Sequence, residues 1–75
     1  MEYKFSFSES LKALKDGKAC QRKNWETSNF TLHLQEIQQP DGSKNTQFFT
    51  KYTDGTTHDW QPAMDDMLST DWAIL

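Results

Sequence analysis

The chain has 75 residues, a formal charge of −3 and a pI near 5.1, so it lacks the dense Lys and Arg that neutralising a nucleic-acid polymer requires. Its single cysteine, Cys20, excludes an internal disulfide and a Cys-rich zinc centre and points to the cytosol, while no apolar run approaches the length of a membrane helix or suggests a signal peptide. Valine is absent, yet three Trp, two Tyr and five Phe supply large apolar faces, which predicts one small domain over residues 1–75 with an aromatic core.

Ser6 and Glu9 are spaced as a capping box and Gly17 as the left-handed residue that stops a helix, so residues 7–16 read as helical. Phe7, Ser10, Leu11 and Leu14 then share the inner face, with Lys12, Lys15 and Asp16 in water. A strand is expected from Lys18 to Arg22. Alternation of Phe30, Leu32 and Leu34 with Thr31, His33 and Gln35 predicts a half-buried strand over Asn29 to Gln35, and the exchange of faces at Glu36 and Ile37 predicts a bulge or strand end. Pro40-Asp41-Gly42 marks a turn inside a loosely structured stretch from Gln38 to Asn45. Thr46 to Thr53 and Thr56 to Trp60 flank Asp54-Gly55, a two-residue loop of the type I′ kind. That register sets Thr53 opposite Thr56, Lys51 opposite His58 and Phe49 opposite Trp60. Pro62 opens a short helix over residues 62–68 with Met64, Met67 and Leu68 on its buried side, and Trp72 to Leu75 forms a last strand. Together these predict an α+β fold: an N-terminal helix packed on a small, mainly antiparallel sheet, with a short second helix near the C-terminus. A core so short of aliphatic residues is also expected to gain stability by packing against copies of itself.

Arg22-Lys23-Asn24-Trp25 puts cations beside a large ring. Such a ring can stack on a nucleobase while Arg or Lys holds phosphate oxygens, although Trp is more often a core residue. Asp65 and Asp66, with Asp71 further on, could accept hydrogen bonds from ribose hydroxyls and adenine amines or act as an acid–base pair; their commoner use is to favour the first turn of a helix. His58-Asp59 has the form of a base with its orienting carboxylate, but no nucleophile motif accompanies it, and His33 and His58 lack metal-ligand spacing. The expectation is a binding protein with no catalytic residue, no metal and no cofactor.

The ordered run Phe7-Ser8-Glu9-Ser10-Leu11-Lys12-Ala13-Leu14-Lys15-Asp16-Gly17-Lys18, Arg22-Lys23-Asn24-Trp25, Asp54-Gly55-Thr56, Trp60 and Asp66-Met67-Leu68-Ser69-Thr70-Asp71-Trp72 resembles the second family of Thoeris anti-defence proteins. The resemblance covers nearly the whole chain outside residues 36–46. It implies a phage-encoded sponge of the host bacterial cytoplasm, a homo-oligomer and typically a tetramer. Such a sponge captures a cyclic ADP-ribose-type immune signal between protomers without cleaving it. Some relatives also hold cyclic dinucleotides, so the implied partner is a class of nucleotide signals. Carried over, Trp25 would stack on the base, Arg22 would face phosphate or support the pocket, Asp65 and Asp66 would accept from ribose or adenine, and Trp60 would line the wall or the core. Asn24 stands where Gly is usual and Ala63 where Ser is usual, and the middle segment is shorter than in many members. The alternatives are a protein-binding inhibitor or phage accessory module on the same scaffold, and an enzyme that destroys the signal through His58 or the Asp65–Asp66 pair.

Overall fold

A computed structural model of the chain describes residues 2–25 and 28–75. In chain order it contains α1 (Phe7–Lys15), β1 (Cys20–Arg22), a 3-10 turn (Lys23–Trp25), β2 (Phe30–Gln38), β3 (Lys44–Tyr52), β4 (Thr57–Asp59), α2 (Met64–Leu68) and β5 (Trp72–Ile74). The strands form one five-stranded antiparallel sheet in the order β4-β3-β2-β1-β5, so the fold is α+β. No helix of the described residues is long and apolar enough to cross a membrane.

Helix α1 begins and ends as its sequence dictates. Ser6 Oγ accepts the Glu9 backbone N–H and Glu9 Oε1 accepts the Ser6 N–H, so each residue satisfies an orphan donor of the other. At the far end Lys18 N–H donates to Ala13 O and Gly17 N–H to Leu14 O, a Schellman closure with Gly17 at φ +88°. Ser10, Ala13 and Leu14 are buried, while Phe7 and Leu11 are half-buried. The helix packs across β5, β1 and β2. Ser10 allows close approach there, and the Cys20 thiol donates to its carbonyl. Among the described residues the Ser10 hydroxyl is the one buried side-chain oxygen without a partner.

The central hairpin is longer and more regular than expected. β2 and β3 pair without interruption from Phe30↔Tyr52 to Gln38↔Lys44, so there is neither bulge nor strand end at Glu36 and Ile37. The pleat continues and Ile37 simply comes out on the more exposed face, 40% exposed. Cross-strand backbone bonds in a long antiparallel pair outweigh one misplaced apolar side chain. The loose stretch shrinks accordingly to the five residues between Gln38 and Lys44.

Both hairpins turn in the same way. Gln39 N–H donates to Ser43 O and Gly42 N–H to Gln39 O; likewise Tyr52 N–H donates to Thr56 O and Gly55 N–H to Tyr52 O. Each loop therefore has three residues, Pro40-Asp41-Gly42 and Thr53-Asp54-Gly55. Only the glycines carry positive φ, +90° and +91°. This is a type I turn closed by a glycine bulge, not the two-residue I′ loop expected for Asp54-Gly55. Asp41 Oδ1 accepts from the Ser43 N–H and hydroxyl, and Asp54 Oδ1 accepts from the Thr56 N–H and hydroxyl. These bonds hold the Asp54 carboxyl below its usual range, the Thr56 hydroxyl contributing most. The extra loop residue shifts the β3–β4 register by one: Lys51 pairs with Thr57, Thr50 with His58 and Phe49 with Asp59. Such a slip sends side chains to opposite faces. Trp60 therefore meets Phe48, ring centroids 5.7 Å apart, while Phe49 stacks at 5.3 Å on His33, its direct partner across the β2–β3 pair.

Those alternations gather most of the aromatic residues on the face covered by α1. Trp72, Leu32 and Cys20 are fully buried, Trp25 and Leu14 nearly so, and Phe5, Phe7, Phe30, Phe48 and Trp60 pack around them. At the sheet edge the ladder runs slightly beyond β5, because Leu75 N–H donates to Ala19 O.

Candidate ligand-binding site

Arg22 is the last residue of β1, and the pleat that buries Cys20 turns its side chain toward the same face. There it is 8% exposed. Its guanidinium bonds Asp71 through Nε (3.0 Å) and Nη2 (3.5 Å), Asp66 (2.8 Å) and Asp65 (3.2 Å) through Nη1, and the Ser69 hydroxyl through Nη2 (2.6 Å). The Asp71 bond, with those from Asp66 and Asp65, raises the Arg22 pKa against the opposing effect of burial, so the group is a permanent cation. A guanidinium committed to this many acceptors keeps little donor capacity for a phosphate. Its evident work is support: it fastens β1 to α2 and to the segment leading into β5.

The acids around it differ in what they can still do. Asp66 has a 13% exposed side chain and also accepts the Ala63 N–H at 2.9 Å, capping α2. Helix favouring, the commoner use of such residues, therefore holds for Asp66. Ala63 has no side-chain acceptor, so only this half of a capping box can form. Asp65 is 79% exposed and keeps acceptor capacity toward solvent beyond its bond to Arg22. Asp71, 37% exposed, holds Arg22 from the far side. Sequence reasoning grouped Asp71 with Asp65 and Asp66 but missed Ser69 and the common partner Arg22; the only signal for Ser69 was its closeness in sequence to these acids.

Trp25 ends the 3-10 turn after Arg22 and points into the protein. It is 9% exposed, its ring packed on Phe30 at 4.9 Å, Trp72 at 5.3 Å and Trp60 at 5.7 Å. Of the two readings of Trp25, a ring that stacks on a base and a core residue, the single chain shows the second: the ring fills the aromatic core. Asn24 beside it is exposed, and Trp60 is half-buried. Trp72 joins the aromatic and charged groups, lying 6.4 Å from Trp60 and donating its indole N–H to Asp66 O at 3.0 Å. Arg22, Asn24, Trp25, Trp60, Asp65 and Asp66 are thus assembled at one end of the sheet from three separate segments.

Helix α2 departs from expectation. It starts at Met64, leaving Pro62 just outside, and Met64, Met67 and Leu68 are 66%, 42% and 73% exposed, so no apolar side of it is buried within the chain. Polar anchors through Arg22, Asp66 and Trp72 replace the expected apolar contact. The histidines do not form an acid–base unit. Successive strand residues face opposite ways, so Asp59 accepts from Gln47 while the His58 ring lies edge-on to Tyr52 at 4.9 Å. His33 bonds the Thr31 hydroxyl at 2.8 Å, and burial first, then Lys51, lowers its pKa. Among the described residues no group of three His, Cys, Asp or Glu side chains is placed to hold a metal ion.

Away from this cluster a concavity of about 360 Å³ opens where β1, β2 and β3 meet the Thr53–Gly55 turn. Its walls include Phe30, Tyr52, Lys51, Asn29 and Gln21. Its residues were not singled out by the sequence, because each is unremarkable until the hairpin register brings it beside the others.

Comparison with known proteins agrees with the resemblance. A family model described as the Thoeris anti-defense 2-like domain matches residues 5–75. A protein of Bacillus phage SP01 named Thoeris anti-defense 2 is 30% identical over 88 residues, taking in 100% of this chain and 99% of that protein. With nearly its whole length matched in both comparisons, the chain belongs to the Thoeris anti-defense 2-like family, and that membership supports an anti-Thoeris role in phage infection.

Proposed function

We propose that the protein is a phage anti-defence sponge acting in the host bacterial cytoplasm. It binds a cyclic ADP-ribose-type or related cyclic nucleotide signal without cleaving it, in pockets completed between protomers of a homo-oligomer, most simply a tetramer. The observation that carries this reading is the placement of Asn24 and Asp65, both exposed, on two segments that Arg22 and the Trp25–Trp60–Trp72 rings lock together. Asn24, Trp60 and Asp65 form the face toward the ligand, and Arg22, Trp25 and Asp66 hold them in position. Asp65 accepts from ribose hydroxyls or an adenine amine, and Asn24 offers both donor and acceptor. Binding without cleavage accords with a site whose carboxylates are engaged by a guanidinium and which brings no His beside a nucleophile. Met64, Met67 and Leu68 supply apolar surface for another protomer.

Those same three side chains favour a second reading, a protein-binding inhibitor on this scaffold. One experiment separates the two. The purified protein is sized by light scattering, loaded with filtrate from infected cells carrying the defence, then heated to release its contents. A sponge has a multiple of the 8.8 kDa chain mass and returns an unaltered ultraviolet-absorbing nucleotide. A monomer that retains nothing refutes the proposal, and altered products indicate an enzyme.

A further inference from the structure

We propose that Ser69 is a positioning residue: it clamps the Asp65 carbonyl to the Arg22 guanidinium and so aims one oxygen of the Asp65 carboxylate out of the charged cluster toward a ligand. The inference rests on the reading of Asp65 as a ligand-facing acceptor and adds what holds that acceptor in place. The oxygens of the three acids differ in what they already bind. Asp66 spends Oδ1 on Arg22 and Oδ2 on the Ala63 N–H, while Asp71 spends Oδ1 on Arg22 Nε and Oδ2 on Nη2. Asp65 gives Oδ2 to Arg22 Nη1. Its Oδ1 is the one carboxylate oxygen of this cluster without a hydrogen bond among the described residues, and it sits on a side chain 79% exposed.

Apolar packing does not fix the direction of that oxygen. Helix α2 has five residues, none of them buried, and a helix so short has little stability of its own. Asp65 is held instead from two sides by one guanidinium. Nη1 takes its Oδ2 directly, and Nη2 donates to Ser69 Oγ, whose own hydrogen goes to the Asp65 carbonyl oxygen. Ser69 thus closes a ring that runs from Nη1 through the Asp65 side chain and backbone and returns to Nη2. The other acceptors of the guanidinium are carboxylates, which when ionised only accept, whereas a hydroxyl accepts and donates at once, so Ser69 is the group here able to pass the bond on. A lone ion pair of 3.2 Å to so exposed a carboxylate would leave it free to turn; the second arm of a planar, 8% exposed guanidinium removes that freedom.

The test is a double-mutant cycle read as the rate at which retained nucleotide washes off. The probe is the ultraviolet-absorbing nucleotide that wild type takes from infected-cell filtrate and releases on heating. It is bound afresh to wild type, Ser69→Ala, Ser69→Thr, Asp65→Ala and the Ser69→Ala, Asp65→Ala double variant. Asp65→Ala should speed release about tenfold or more and Ser69→Ala roughly three- to tenfold, while Ser69→Thr keeps the hydroxyl and stays near wild type. Because Ser69 acts through Asp65, the double variant should release no faster than Asp65→Ala alone. In nucleotide-free, isotope-labelled protein, amide relaxation should show Asp65 more mobile in Ser69→Ala at an unchanged circular-dichroism spectrum. Loss of the fold in Ser69→Ala, effects that multiply in the double variant, or wild-type release or wild-type Asp65 relaxation in Ser69→Ala would each overturn the inference and leave the sponge standing. Wild-type protein that retains no nucleotide refutes the sponge, and with it any ligand role for Ser69.

Discussion

Replacing Trp25 by Ala removes the residue on which folding and binding expectations diverge most. The ring is 9% exposed and touches three other rings, Phe30, Trp60 and Trp72, at 4.9–5.7 Å. Loss of a buried Trp costs about 3–5 kcal/mol. A domain of this size has in total about 4–11 kcal/mol at the usual ~0.05–0.15 kcal/mol per residue, so the substitution removes about a quarter of the margin or more. At about 4–8 °C per kcal/mol for a domain of this length, the melting temperature should fall by roughly 12–40 °C. Trp25→Phe keeps an aromatic body and should recover part of that. Urea unfolding followed by circular dichroism measures the loss directly, and binding is then compared at a temperature where the variant is still folded. If Trp25→Ala melts within a few degrees of wild type yet loses the nucleotide, the ring is reserved for the ligand and its core assignment is refuted.

Arg22→Lys replaces a fork that reaches three carboxylates with a single ammonium. With Asp66 left poorly paired and the exposed Asp65 and Asp71 contributing little, the cost should be about 1–3 kcal/mol; hydrogen exchange in residues 63–69 should quicken first, and unchanged protection there would show that α2 is anchored otherwise. Ala63→Ser completes the capping box that Asp66 already half forms, and calorimetric melting should show a gain of about 0.5–1 kcal/mol, whereas a loss would mean that Ser cannot reach the Asp66 N–H. Gly55→Val places a β-branched side chain at φ +91° and should cost roughly 1 kcal/mol or more, while Asp54→Val, at negative φ, should lose only the bonds to Thr56; equal melting temperatures for the two variants would refute the glycine-bulge turn.

What the sequence determined by itself is what neighbouring residues decide among themselves. The capping box at Ser6 and Glu9, the stop at Gly17, the alternation from Phe30 to Leu34 and the presence of a turn at each Asp-Gly all follow from contacts spanning a few residues. The ordered motifs from Phe7 to Trp72 likewise carried the family in one dimension. Tertiary structure decided everything that depends on which distant groups meet. Asp54-Gly55 announces a turn, but whether its loop holds two residues or three depends on the strand pairing, and that one residue set Phe49 opposite Asp59 and left Trp60 against Phe48. Ile37 breaks the apolar alternation, yet it stays in the strand because β3 pairs along its full length. Met64, Met67 and Leu68 have the spacing of a buried helix face, yet the packing of the described residues leaves all three exposed. Arg22 offers the same donors whether it meets a ligand phosphate or its own carboxylates. It meets Asp65, Asp66 and Asp71 because the antiparallel pairing of β1 with β5 places Arg22 directly opposite Trp72, the residue that follows Asp71, more than forty positions along the chain.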